Sequence, residues 1–401
     1  PYARPLTPTG RRLSAPKVAV PEDFPRPARL EGRKLSTQAG FGEILAELGR
    51  RQGPHEAFDR HLLTTSPDVT VSTSLGPWVN RRGLFERHTR NDIFHDTRLA
   101  SPQRWHMTPA GQHIELGIAE QNLFLLLAAA GLQDSLNGAR VLPIGTVYDP
   151  FVARGLDALH YACYQDARFL LVSTPSGITL APEGGQHQSV VTPLLGMGLD
   201  RLLFFEPAYV DELALLLRFA FVHMQEEGGS AVWLRLSTRP LLQPRRTLDA
   251  EGVIAGGYWV VPPAPGARLA LAYQGAVAPE AEAAFRELAE EEDGVGLLAI
   301  TSPDRLFAGW RDAQAARRQG VRTALAPIER LLAPLAPDAA LVTVLDGHPA
   351  SHAWLGAVRG QRVIPLGVSR FGQGGDIPSL YRAYGLDTET ILEAAAQALL
   401  G

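Results

Sequence analysis

One cysteine, Cys163, stands in 401 residues, so no internal disulfide can form and no cysteine-based zinc site can be built. That usage suits a reducing compartment, and the cytoplasm is the expected location. Lysine is almost as scarce: Lys17 and Lys34 are the two, and every other fixed cation is an arginine. The formal net charge of -4 provides no basic excess, which argues against a nucleic-acid partner. No signal-type apolar core opens the chain. The longest apolar run, around Leu123 to Ala130, falls far short of the ~20 residues a membrane-crossing helix needs, so no membrane association is expected. Internal repeats and low-complexity tracts are also missing.

What remains is an ordinary globular composition, 45% hydrophobic and 20% charged, on a chain long enough for two cores. The expectation is an α/β protein with two parallel or mixed-sheet domains. Residues 1–35, rich in Pro, Arg and Gly, read as an extended arm. From 36 to 245 strand-like runs (Leu142 to Val147, Phe169 to Ser173, Leu202 to Phe205, Ala231 to Leu236) alternate with helical stretches near Ile118 to Ala130, Phe151 to Tyr164 and Val210 to Glu226. A polar, proline-bearing segment, Arg239 to Ala250, leads into a second unit, 246–401. Its strands are expected at Leu269 to Tyr273, Gly296 to Ile300 and Ala340 to Leu345, and its helices at Pro279 to Glu292 and Ile377 to Leu400.

Three segments carry chemistry. Gly117-Ile118-Ala119-Glu120 puts a carboxyl group into an apolar helix: on the helix's solvated side it would be an ordinary surface acid, whereas among Ile118, Leu123 and Phe124 desolvation would raise its pKa and let it share a proton with a ring nitrogen near neutrality. Glu115, five residues earlier, lies about 140° around a helix from Glu120 and need not pair with it. Tyr148 and Phe151 follow a strand-like run, at the carboxyl end where parallel sheets bind ligands, although two aromatics there could equally serve the core. His187 sits in the glycine-rich Glu183-Gly184-Gly185-Gln186-His187-Gln188. Together they suit an aromatic, proton-shuttling cofactor, for which thiamine diphosphate is the candidate. Asp68, in Ser66-Pro67-Asp68-Val69-Thr70, is either an active-site acid or a turn cap.

The order and spacing of these segments resemble the superfamily of transketolase and the homodimeric pyruvate dehydrogenase first component, from about Leu35 to Gly401. The resemblance implies a pyrimidine-binding domain followed by a transketolase C-terminal-like domain. By motif, Glu120 would activate the pyrimidine, Tyr148 and Phe151 would sandwich it, His187 would face the reacting substrate, and Asp68 would belong to the same site. Arg239 lies near where transketolases place a phosphate-binding arginine, in different surroundings, and is a weak candidate for a sugar phosphate. Gly372-Gln373-Gly374-Gly375-Asp376 lacks the lysine of a phosphate loop and reads as a connection; His348 and His352 have no partner pattern.

The Gly-Asp-Gly and downstream Asn that hold Mg²⁺ and the diphosphate in this superfamily do not occur in the chain. The expectation is therefore a β-type subunit of a split enzyme. A diphosphate-binding α-type subunit would supply the Mg²⁺ ligands in an α2β2 heterotetramer. Three activities follow from the resemblance. The first is 2-oxoacid decarboxylation, passing a two-carbon unit carried on the cofactor to a lipoyl group of an acyltransferase. The second is ketol transfer from a ketose phosphate to an aldose or a carrier protein. The third is a non-catalytic regulatory role.

Overall fold

The computed structural model describes residues 14–50, 56–90, 97 and 104–400. Two sheets organise it. The first has eight strands, all paired in parallel, in the spatial order Met107–Thr108, Leu84–Phe85, His113–Glu115, Leu62–Ser66, Leu142–Val147, Leu170–Ser173, Ala231–Arg235, Leu202–Phe205. The second has five, in the order Gly257–Val261, Gly296–Ile300, Ala267–Gln274, Leu335–Leu345, Arg362–Leu366, with only the first pair antiparallel. Leu142–Val147 is buried at every position, as a strand covered by helices on both faces must be. The α/β class with parallel and mixed sheets agrees with the expectation.

The strands expected from apolar runs form within a residue or two of their predicted limits, except that the one expected from Ala340 begins five residues earlier, at Leu335. Others escaped notice because their buried side chains are polar: Leu62–Ser66 places Thr64, Thr65 and Ser66 inside, and His113–Glu115 opens with a buried histidine. Several helix boundaries shift. The helix expected from Ile118 starts at Glu120, because Gly117 takes a left-handed φ of 64° and Ile118 swings out to 78% exposure. The stretch Phe151 to Tyr164 begins as a 3₁₀ turn, Asp149–Gly155, before the helix Leu156–Tyr164. Ile377 to Leu400 is two helices, Ile377–Tyr384 and Thr388–Leu400, separated at Gly385. The described part of the arm lies along the chain's own helix Val210–His223: Arg218 Nε donates to Pro21 O at 3.0 Å, and Phe24 meets Phe221 at 6.1 Å between ring centres. No helix among the described residues is long and apolar enough to cross a membrane.

The two sheets are joined by a fully buried ionic cluster centred on Arg235, the last residue of its strand. Its Nε donates to Asp149 Oδ2 at 3.0 Å, and its Nη1 to Glu206 Oε1 and the Asp346 carbonyl, each at 2.8 Å. Nη2 reaches the Ser189 carbonyl at 3.1 Å. Gln274 Nε2 donates to the other Glu206 oxygen at 2.7 Å, and its own carbonyl oxygen accepts from His352 Nε2 at 2.9 Å. Asp346 accepts the Ile178 N–H at 2.9 and 3.0 Å, across a turn where a side chain on Gly177 would run into the carboxylate.

Three carboxyl groups around one cation leave negative charge in a dry site, and the proton settles accordingly. Burial pushes Asp346 up to about 7 despite Arg235, and pushes His352 down to about 3. A raised carboxyl binds its proton more tightly folded than unfolded. The stability that Asp346 contributes is therefore full below 3.8 and is lost as pH rises through about 7. His352 acts with the opposite sign, contributing fully above 6.5 and losing that as pH falls towards about 3. Melting temperatures at about pH 4.5 and about pH 7.5 isolate the first effect: Asp346→Asn should gain on wild type at the higher pH, and equal differences at both values would contradict it. Arg235→Met, which strands two buried carboxylates, should cost about 3–5 kcal/mol in urea unfolding or prevent folding.

Candidate active site

The carboxyl end of the eight-stranded sheet gathers most of the residues singled out by sequence. Asp68 follows Leu62–Ser66, Glu115 ends its own strand, and Tyr148 follows Leu142–Val147. Open parallel sheets bind ligands at this end because the connecting turns diverge there and leave a crevice.

Glu120 opens the helix Glu120–Gly131, where the first-turn N–H groups favour an anion, and only 8% of it is exposed. It is not on a solvated face. Nor is it in purely apolar surroundings, because Arg154 Nη1 donates to Glu120 Oε1 at 2.6 Å. The same guanidinium lies 3.6 Å over the Phe151 ring. Phe151 in turn stacks on Tyr148, with ring centres 5.9 Å apart and planes 25° from parallel. A third ring inserted between two others needs centre separations totalling ~9 Å, so the expected sandwich would require these rings to part. The Phe151 face that a flat cofactor could reach otherwise is the one Arg154 covers.

His187 stands edge-on to both aromatics, 6.4 Å from Tyr148 and 5.7 Å from Phe151. Its turn, Gly185–His187, is pressed against the loop before the last helices: a side chain at Gly185 would overlap the Gly372 carbonyl, and Gln188 Nε2 donates to Gln373 O at 2.9 Å. His187 Nδ1 is buried without a hydrogen-bond partner among the described residues, with Glu183 Oε2 3.7 Å away. Buried polar atoms normally have partners, so this nitrogen retains an unused hydrogen-bonding capacity beside the aromatic pair.

Asp68 holds a left-handed φ of 63°, and its N–H donates to Glu115 Oε1 at 2.8 Å. Thr70 Oγ1 donates to the other Glu115 oxygen at 2.5 Å. Behind Thr70 lies the buried His113, its ring nitrogens 2.9 Å from the hydroxyls of Thr64 and Thr70. Burial would raise the Glu115 pKa, but His113, the Thr70 hydroxyl and the Asp68 N–H together hold it below the usual carboxylate range. Glu115 and Arg154 were not identified from sequence. Glu115 was measured against Glu120 on a helix, whereas it ends a strand and faces Asp68; Arg154, three residues after Phe151, carries no motif.

Arg239 is not brought to this group. It donates to both Glu280 oxygens at 2.7 and 2.6 Å and to the Ala276 carbonyl at 2.8 Å, and covers the Tyr381 ring at 4.9 Å. His348 Nδ1 accepts the Ala350 N–H at 3.2 Å, and Asp376 caps the helix Ile377–Tyr384. No group of three or more His, Cys, Asp or Glu among the described residues is arranged to hold a metal ion. Glu115→Gln should cost about 1–2 kcal/mol at neutral pH by weakening the Asp68 and Thr70 bonds. Because a lowered carboxyl stabilises above its unfolded value and loses that as pH falls, the penalty should shrink in acid; a penalty constant with pH would contradict the account.

No family model matches the chain. Among curated proteins, the pyruvate dehydrogenase E1 component of Mycolicibacterium smegmatis is 26% identical over 382 residues, 91% of this chain and 39% of that protein. The corresponding protein of Corynebacterium glutamicum is 28% identical over 233 residues, 56% of this chain and 24% of its own length. Among solved structures, the transketolase of Leishmania mexicana superposes with a TM-score of 0.69 at 18% identity, over 93% of this chain and 48% of that one. A split-gene transketolase described as an inactive β4 tetramer superposes at 0.60 and 18% identity, over 91% of this chain and 99% of its own. The chain thus spans well under half of the curated relatives it matches and nearly all of the split-gene chain, and it is similar in sequence to pyruvate dehydrogenase E1 components and in fold to transketolases.

Proposed function

We propose that this chain is the β-type subunit of a split thiamine diphosphate-dependent enzyme, formed by residues 36–245 as the pyrimidine-binding domain and 246–401 as the transketolase C-terminal-like domain. The observation that carries the reading is the grouping of Glu120, Phe151, Tyr148 and the open Nδ1 of His187 at the carboxyl end of the parallel sheet. These residues fit the cofactor's aminopyrimidine: a buried carboxyl for a ring nitrogen, a flat aromatic face, and an unpartnered imidazole nitrogen. When bound, thiamine diphosphate supplies a nucleophilic carbon that accepts a two-carbon unit from the substrate.

The chain's own residues would act as follows. Glu120 exchanges its Arg154 partner for the pyrimidine nitrogen and holds the shared proton there. Phe151, freed from the guanidinium, takes the ring face. His187 presents its nitrogen to the substrate oxygen that gains charge, a contact worth a few kcal/mol when preorganised. Asp68, its backbone held by Glu115, contributes a second acid at the rim. Arg239 keeps its structural pairs and is left out of the substrate site. The Mg²⁺ and diphosphate ligands belong to a partner of α type.

Sequence likeness to pyruvate dehydrogenase E1 components supports decarboxylation of a pyruvate-like 2-oxoacid with acyl transfer to a lipoyl group. A second reading, ketol transfer from a ketose phosphate to an aldose or carrier-bound acceptor, is supported by the fold neighbours and by the length match to the split-gene transketolase. The regulatory alternative would leave the Glu120 and His187 arrangement without a purpose.

The test is calorimetric titration of thiamine diphosphate and Mg²⁺ into this chain combined with a polypeptide bearing the diphosphate-binding half. Binding by the pair and by neither chain alone is expected, and Glu120→Gln should lower turnover of pyruvate or ketose phosphate about 100-fold or more. A pair that does not bind, or a variant as active as wild type, would sink the proposal.

A further inference from the structure

A cleft of about 840 Å³ opens between the edge strand Leu202–Phe205 of the eight-stranded sheet and the helix Pro303–Arg318 that follows the second sheet's strand Gly296–Ile300. That volume is in the range of small-molecule sites, ~300–1,000 Å³. Leu203, His223 and Ser230 line one side, and Asp304, Arg305 and Phe307 the other. It shares no lining residue with the Glu120 and His187 group.

Arg305 is the unusual member. Several other half-buried or buried arginines of this fold end on carboxylates: Arg235 on Asp149 and Glu206, Arg246 on Asp211 and Glu212, Arg239 on Glu280. The Arg305 guanidinium lies 5.4 Å over the Phe219 ring and 6.0 Å over Phe205, and among the described residues it has neither an ion pair nor a side-chain hydrogen bond. Burial holds its pKa below the ordinary arginine value. Its chain neighbour Asp304 directs Oδ2 to the Phe204 N–H at 3.2 Å, and burial pushes that carboxyl up to about 6.

The arrangement continues through Phe219, which stacks on His223 at 5.3 Å and 18°. His223 Nε2 accepts the Ser230 N–H at 3.1 Å, which leaves Nδ1 to carry the proton. Burial and the nearby Arg305, Arg168 and Arg201 push this imidazole down to about 4, so it is a neutral donor near pH 7. Arg201 is already bound to Asp166, its Nε donating to Oδ1 at 3.0 Å.

We propose that this cleft binds one small oxyanion, the phosphate or carboxylate head of a metabolite, with the Arg305 guanidinium as its ionic partner and the apolar wall taking its carbon body. A half-buried guanidinium over two aromatic rings, with no carboxylate of its own, is half of an ion pair, and a carboxylate or phosphate head completes it with two parallel hydrogen bonds. The lining carries Asp200, Asp304 and Asp312 beside Arg201, Arg305 and Arg311, a balance that disfavours polyanions and suits a single anionic head. Because one wall belongs to each sheet unit, an occupant would bridge them and stabilise their contact by mass action. The inference is independent of the thiamine reading.

Phenyl phosphate and benzoate, which present the two heads on one apolar ring, are the probes. Each is titrated into the full chain by calorimetry and followed by melting temperature. Saturable binding of at least one is expected, and the stronger identifies the head. Arg305→Met should weaken it about tenfold or more, while Arg322→Met, an exposed arginine outside the cleft, should leave it unchanged. If Arg305→Met does not fold, Arg305→Lys, which keeps the charge and lacks the planar fork, must still weaken binding. No saturation by about 10 mM, or equal affinity in wild type and the Arg305 variants, overturns the proposal.

Discussion

The buried Arg235 cluster is the constraint on which the rest of the structure depends. A guanidinium cannot stay in a dry core unless carboxylates and carbonyls meet nearly all its N–H groups, and here they arrive from four different segments: Asp149, Ser189, Glu206 and Asp346. Asp149 immediately follows Tyr148, so the bond that keeps Arg235 satisfied also fixes the turn bearing the aromatic pair. Asp346 comes from the second sheet and holds the Ile178 N–H of the segment that leads to His187. The site and the join between the sheets therefore share one set of hydrogen bonds, and neither can be displaced without exposing charge to the interior.

The Glu120 and Arg154 pair gives the proposed site a definite resting arrangement. A buried carboxylate with no partner would be costly, and Arg154 removes that cost while shielding the Phe151 face. A ring bearing a basic nitrogen offers Glu120 a hydrogen bond and Phe151 a flat surface at once, so it replaces both contacts of the guanidinium together. The stacked Tyr148 and Phe151 rings and the open nitrogen of His187 belong to the same resting arrangement.

Much of this was legible in the residues. Leu142–Val147, Ala231–Arg235 and Gly296–Ile300 are apolar runs, and burial on both faces of a parallel sheet demands such runs. Glu120, Tyr148, Phe151 and His187 could be singled out because the short segments that carry them resemble those of the transketolase and pyruvate dehydrogenase superfamily. The strands Leu62–Ser66 and His113–Glu115 were not legible, since their interior positions hold Thr64, Thr65, Ser66 and His113, which satisfy one another and resemble surface residues until they are paired. The start of the Glu120 helix differs for another reason: the left-handed turn at Gly117 ends one element and begins another without any change in hydropathy.

By itself, the sequence determined the class of fold and the alternation of strand and helix. Those properties depend on side-chain size, polarity and backbone freedom, all of which are carried by neighbouring residues. Only the tertiary structure decided that Arg154 faces Glu120, that Glu115 serves Asp68, that Arg239 is taken up by Glu280, and that Arg305 is left without an anion. Each of these depends on packing between residues far apart in the chain, and a contact a few ångströms long leaves no periodicity for a sequence to display.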